Sequence, residues 1–371
     1  MSTTSTTTGP AGPVTTRPRR SAARSGEAVS GWLFTAPVVV LLGLFLGVPV
    51  LMALWVSVSD WTGRGSPFSA GVHFVGARNY SELLTGGGLA TQDFGTALKN
   101  NAWYVVVVVP VQTALSLVLA VLVNQAALRG RGFFRTAFYF PSVTSSVAIT
   151  VLWLFLFSAS GAVNQVLGWV GINGPNWFND PTGVLHALLK ALGVQDGPAA
   201  LTDHRLLGVT WWDWLGGPSV AMSAFIVMAV FTTSGTFMLL FVAALQNLSG
   251  EVTEAAVMDG ANGWQRFWRI TLPQLRPTLF TVLTLGLIGT WQVFDQIYTG
   301  TQGAPGKTTL TPAYLSYQTS FVNQEWGQGA AIAFILFVII VVLTLFQRWL
   351  LRERSERRPR PVRRASERGT R

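Results

Sequence analysis

Long apolar stretches dominate the chain, and polar residues gather between them rather than alternating within them. Six such runs lie near 32–58, 103–123, 133–157, 220–245, 278–298 and 330–350. Each is long enough, as helix, to cross a hydrocarbon core, which takes about 20 residues. Pro37, Pro49 and Pro110 fall inside these runs, a placement that breaks soluble helices but is tolerated in membrane bundles. The pattern predicts an all-α polytopic membrane protein with six transmembrane helices spanning 32–351. It also predicts a cytosolic helical hairpin between the fourth and fifth, at 247–277, and an extended outer loop at 159–218.

Composition agrees. Half of the 371 residues are hydrophobic and only 11% are charged, against about a quarter in soluble proteins. Lys and Arg fall unevenly between the runs. With the N-terminus inside, 20 of the 26 basic residues lie on the cytosolic side. That bias predicts a multi-pass plasma-membrane protein with both termini in the cytoplasm. The net charge of +10 then needs no nucleic acid: the Arg-rich tail, 352–371, suits anionic lipid headgroups. The Ser/Thr-rich, basic 1–31 reads as a disordered cytosolic tail. The first apolar run is too long for a cleaved leader and lacks a small-residue cleavage site, so it is expected to be retained.

Candidate chemistry is sparse. The chain has no cysteine, and its three histidines, His73, His186 and His204, show no metal-ligand spacing. No nucleophile–base pair or carboxylate pair lies within the runs, so neither a catalytic nor a metal site is expected, and the chain reads as no enzyme. The run 299–309 contains Gly306-Lys307-Thr308, but a P-loop needs a glycine at 301, where Thr301 stands. A Gly/Pro-rich outer loop is the better reading, and any ATP would be bound by a partner.

The polar connector between runs four and five is richer. Ser249 is placed to cap a helix, with Glu251 facing the positive end of its dipole. Gly260 is suited to end that helix in a left-handed turn. After Gly263 a second short helix sets Trp264, Phe267 and Trp268 on one face. Pro273 is expected to stop it, and Pro277 to open the fifth span. On pattern alone, such a pair serves equally as a headgroup anchor or as a rigid element able to transmit a push.

Glu254, Ala255 and Ala256, then Gly260, then Ile270, Leu272 and Pro273 match the signature of binding-protein-dependent ABC importer permeases. The chain resembles the sugar branch of that family, similar to maltose and glycerol-3-phosphate permease subunits. Residues 129–157 resemble its third span, 161–171 the segment after it, and 294–309 its loop after the fifth span, with Ala304 in place of a usual glycine. The resemblance covers 32–352; the two tails and an expanded stretch at 182–217 depart from it. It implies that the hairpin docks on a cytosolic ABC ATPase dimer, with Glu254 as an orienting charge and Gly260 as the bend. It further implies a homologous second permease, an external solute-binding protein, and a sugar as cargo, with no cofactor on this chain.

For the pathway itself, polar residues inside the membrane are the candidates. Gln292 and Asp295 lie three apart in the fifth run, flanked by Trp291 and Tyr298. Carboxylate and amide groups beside aromatic rings suit a sugar. Trp211, Trp212 and Trp214 are expected to form an interfacial belt, and Asn100 and Asn101 to cap the second span. The alternatives are a phosphorylated polyol carried by the same machinery and an ion-coupled secondary transporter. The latter is disfavoured by the few intramembrane charges and the absence of a visible inverted repeat.

Overall fold

The computed structural model describes residues 22–125, 128–194 and 197–350. Residues 1–21 and 352–371, most of the two tails read from composition, lie outside the described residues. The helix that begins at Ala22 enters the stretch expected to be disordered.

Residues up to Ala53 form one compact unit and those from Leu54 another. The first holds α1 (Ala22–Leu42), a π turn (Gly43–Gly47) and the start of α2 (Val48–Ser57). The π turn has a local cause. Pro49 has no N–H to give and its ring would strike the carbonyl four residues back; widening the helix by one residue relieves both.

The second unit continues with α3 (Arg78–Leu84), α4 (Leu89–Asn124), α5 (Arg131–Val143), α6 (Ser146–Leu156) and α7 (Ala162–Trp169). Then come α8 (Val184–Ala191), α9 (Ala199–Thr202), the ribbon β1 (Arg205–Leu206) and β2 (Val209–Thr210), α10 (Trp211–Leu215) and α11 (Val220–Gln246). The hairpin comprises α12 (Gly250–Met258), α13 (Gly263–Arg266), a π turn (Phe267–Thr271) and α14 (Leu272–Gln274). The described residues end in α15 (Arg276–Trp291), α16 (Asp295–Gly300), α17 (Pro312–Tyr317), a π turn (Gln318–Val322) and α18 (Trp326–Leu350). Among the described residues five helical stretches are long and apolar enough to cross a membrane, or six if a bent pair counts as one.

At the centre α4, 36 residues long, packs along α11. Phe94, Tyr104, Val108, Met222, Phe225 and Ile297 form the main core, and Val123, Met238, Phe241 and Val282 a second one further along the same pair. Polar bonds cross between these apolar helices: Ser116 Oγ donates to the Ser234 carbonyl at 3.0 Å, and Thr233 Oγ1 to Gln112 Oε1 at 2.6 Å. Such bonds fix the pairing where lipid offers no hydrophobic contrast.

Four expectations need correction. The third apolar run is two helices, α5 and α6, bent by 97° at Thr144–Ser145. The fifth run is interrupted at Gln292–Phe294. Asn100 and Asn101 cap nothing, because α4 starts at Leu89. Instead Asn100 Nδ2 donates to the carbonyls of Lys307 (2.8 Å) and Leu310 (3.0 Å), and Asn101 Nδ2 to that of Trp291 (3.2 Å). The glycine-rich loop after α16 is thereby pinned to α4, with Lys307 Nζ on Asp93 at 2.6 Å. Finally, segment 159–218 is folded, and its two-stranded ribbon is a small departure from an all-helical chain. Trp212 stacks on His186 at 4.6 Å within that segment, while the Trp214 carbonyl accepts from Trp103 Nε1 of α4 at 2.7 Å.

Candidate coupling and translocation sites

The hairpin bends at Gly260, whose φ is +78°. Its N–H donates to Val257 O at 3.0 Å and that of Ala261 to Ala256 O at 2.9 Å. This pair of bonds is a Schellman termination, and it satisfies two carbonyls at the end of α12. Ser249 occupies the position before α12 with an extended backbone, but its hydroxyl makes no capping bond. The firmer cap is at the second arm. Asn262 Oδ1 accepts from the Gln265 N–H at 2.8 Å, while Gln265 Oε1 accepts from the Asn262 N–H at 3.0 Å. The sequence reading missed this capping box, although Asn-x-x-Gln is its signal.

Pro273 does not stop the second arm. Helix continues through it to Gln274, because the π turn at Phe267–Thr271 absorbs the lost bond and the ring clash, as at Pro49. Pro277 does fall in the first turn of α15.

Of the signature residues, Glu254, Ala255 and Gly260 are exposed, Ala256 is buried, and Ile270, Leu272 and Pro273 are half-buried. Around them Val257, Met258, Trp264 and Trp268 are exposed, Met258 by 87%. The two indoles meet edge to face at 5.4 Å. The hairpin is thus internally satisfied at its bend and apolar on its outside.

The pathway candidates divide. Trp291 is 5% exposed and packs with Val105, Val109, Leu336 and Ile340, so it belongs to the core between α4, α15 and α18. Gln292, Asp295 and Tyr298 are exposed, Gln292 in the break between α15 and α16 and the other two in α16 just after it. Tyr298 stacks on Phe294 at 5.4 Å and meets Tyr317 edge-on at 5.3 Å. The sequence reading overlooked Tyr314, Tyr317 and Phe321, whose spacing of three and four puts them on one helical face. It also overlooked a cleft of about 290 Å³ where the bend between α5 and α6 faces α11. Ser142, Thr144, Ser146, Thr232, Thr233 and Gln296 supply hydroxyl and amide groups there. Among the described residues no cluster of His, Asp and Glu could hold a metal.

An apolar helical bundle, crossed by polar bonds and carrying a glycine-bent hairpin between two long helices, is the architecture of a polytopic membrane permease. The chain belongs to the family of binding-protein-dependent transport system inner membrane components, whose profile matches residues 112–356. It is 32% identical to the lactose transport system permease protein LacF of Rhizobium radiobacter, covering 91% of this chain and 98% of that one. The sn-glycerol-3-phosphate transport system permease protein UgpA of Agrobacterium fabrum is 30% identical, over 85% of this chain and 92% of its own. The arabinooligosaccharides transport system permease protein AraP of Halalkalibacterium halodurans is 31% identical, over 75% and 76%. A chain from the crystal structure of a bacterial ABC transporter that imports the acidic polysaccharide alginate shares the fold. It matches with a TM-score of 0.67 at 19% identity, over 90% of this chain and all of that one. The protein is a multi-pass transport permease component.

Proposed function

We propose that this chain forms the translocation pathway of an ABC importer for a sugar or oligosaccharide. A solute-binding protein delivers the cargo outside, a homologous second permease completes the pore, and a separate cytosolic ATPase dimer supplies the work. The observation that carries the reading is the nearly end-to-end similarity to a lactose permease. The hairpin supports the coupling role: a bend held by its own hydrogen bonds moves as a unit, and its exposed apolar side chains have no covering partner among the described residues. An ATPase shifts the permease between states only through contacts that differ between them. Glu254, Ala255, Ala256, Gly260, Ile270, Leu272 and Pro273 make up that coupling unit, and the basic residues flanking it support a cytosolic position for it and for both termini.

Gln292, Asp295 and Tyr298 line the pathway in this reading, with Gln296 and the hydroxyl-rich cleft beside them. Similarity to UgpA favours a phosphorylated polyol as a second reading. The exposed carboxylate of Asp295 weighs against it, since a phosphate would be repelled there. The test is reconstitution of the complete importer with its binding protein: an oligosaccharide should stimulate ATP hydrolysis. Stimulation by glycerol phosphate and by no sugar would select the second reading.

A further inference from the structure

A cleft remains between the segment after α2 and the turn before α18. It measures about 260 Å³ and is walled by the indoles of Trp61 and Trp326, with Arg78, Glu82, Gln324 and Glu325 around them. The two indole rings lie 5.4 Å apart at 54°.

The walls are held in place. Asn79 Nδ2 donates to the carbonyls of Ser57 (3.0 Å) and Ser59 (3.1 Å). Glu82 accepts from Arg78 Nε at 2.9 Å and from Gln328 Nε2 at 2.7 Å, tying α3 to α18. The Arg78 bond is the main reason the Glu82 carboxyl sits below its usual range; partial burial opposes it and the Gln328 bond assists. Gln324 has φ +62°, a conformation that a non-glycine residue keeps only where its surroundings enforce it.

Several polar groups are left over. Trp61 Nε1 is buried without a partner, and among the described residues the side chains of Gln324 and Glu325 make no hydrogen bond. Planar amide and carboxylate groups beside aromatic faces suit a pyranose, which offers hydroxyls at its rim and an apolar C–H face. The acids Asp60, Glu82 and Glu325 outnumber the one cation of the lining, Arg78, which disfavours an anionic ligand.

The cleft is also connected. From Trp326 a row of rings runs to Phe321 at 4.7 Å, from there to Tyr317 at 5.2 Å, and on to Tyr298 at 5.3 Å, beside Asp295. Phe321 and Tyr298 are exposed along it.

We propose that this cleft is a second saccharide subsite, which stacks one sugar ring against Trp61 and Trp326 at the outer mouth while the row of rings leads toward Asp295. The inference rests on the sugar-importer reading and adds to it a neutral, ring-shaped cargo of more than one unit.

The test exploits the absence of cysteine. In the complete importer, without binding protein, Gln324→Cys is labelled by a membrane-impermeant maleimide in the presence of lactose, maltotriose or arabinotriose at millimolar concentration. At least one saccharide should slow labelling about threefold at twice its dissociation constant, and linear mannitol should not. Trp326→Ala should abolish the protection, and Trp326→Phe, which keeps a ring and guards against a folding artefact, should retain part of it. If none of the three protects, or mannitol protects equally, while sugar-loaded binding protein still stimulates ATP hydrolysis, the subsite is refuted and the importer reading stands. If no sugar stimulates hydrolysis in the unsubstituted importer, the sugar reading falls and takes the subsite with it.

Discussion

Gly260 stands at a left-handed backbone with open space around the position a Cβ would take. A substitution there meets no neighbour, so its cost is conformational: about 1 kcal/mol for any side chain and more for a β-branched one. Gly260→Val should therefore tilt the second arm of the hairpin and abolish uptake, with normal amounts of permease in the membrane, as measured by transport assay and immunoblot. Normal uptake together with normal ATPase association would reduce the hairpin to a headgroup anchor. Asp295→Ala belongs to the other site and should impair uptake while leaving ATPase association intact; wild-type uptake would return Asp295 to a structural role. The glycine bend was legible because a left-handed position leaves a one-letter signature between helix formers. Trp291 was not. Its neighbours Gln292 and Asp295 point out from the break, whereas Trp291 still belongs to the preceding helix and turns into the core.

At the scale of elements, prolines and small residues decide where helices bend and how closely they cross. A π turn stands just before Pro49 and another before Pro273, so in both places the helix widens rather than ends. Reading Pro273 as a stop used the right clash and the wrong remedy. At Gly235 the backbone of α5 presses on α11: a Cβ there would run into the carbonyl oxygen of Phe138. Gly235→Leu should push α5 away and cost about 1–3 kcal/mol by overpacking, read as a lowered midpoint in a detergent thermal-stability assay. An unchanged midpoint would mean that the crossing is loose. The apolar runs located the long helices because length and hydrophobicity are local properties. They missed the breaks at Thr144–Ser145 and Gln292–Phe294, since an apolar window averages over a change in backbone direction.

At the scale of the whole molecule, the pairing of α4 with α11 was not readable from sequence. Helices that are apolar all round have no face to distinguish, and the pairing is specified by Gln112, Ser116 and Thr233, which read individually as polar exceptions. Sidedness is more accessible, because charge bias is a sum over the chain. Single cysteines at Ser249 and Asp203 should label from opposite sides, Ser249 only from the cytoplasm and Asp203 only from outside; external labelling of Ser249 would invert the topology. The central claim is that the hairpin is the handle by which a separate ATPase drives the permease. Met258, exposed by 87% next to the bend, is the place to test it. A photoreactive amino acid at Met258 in the assembled importer should give a cross-link to the ATPase subunit, and Gly260→Val should weaken that cross-link. Cross-linking to lipid alone, with the ATPase bound and active, would contradict the account.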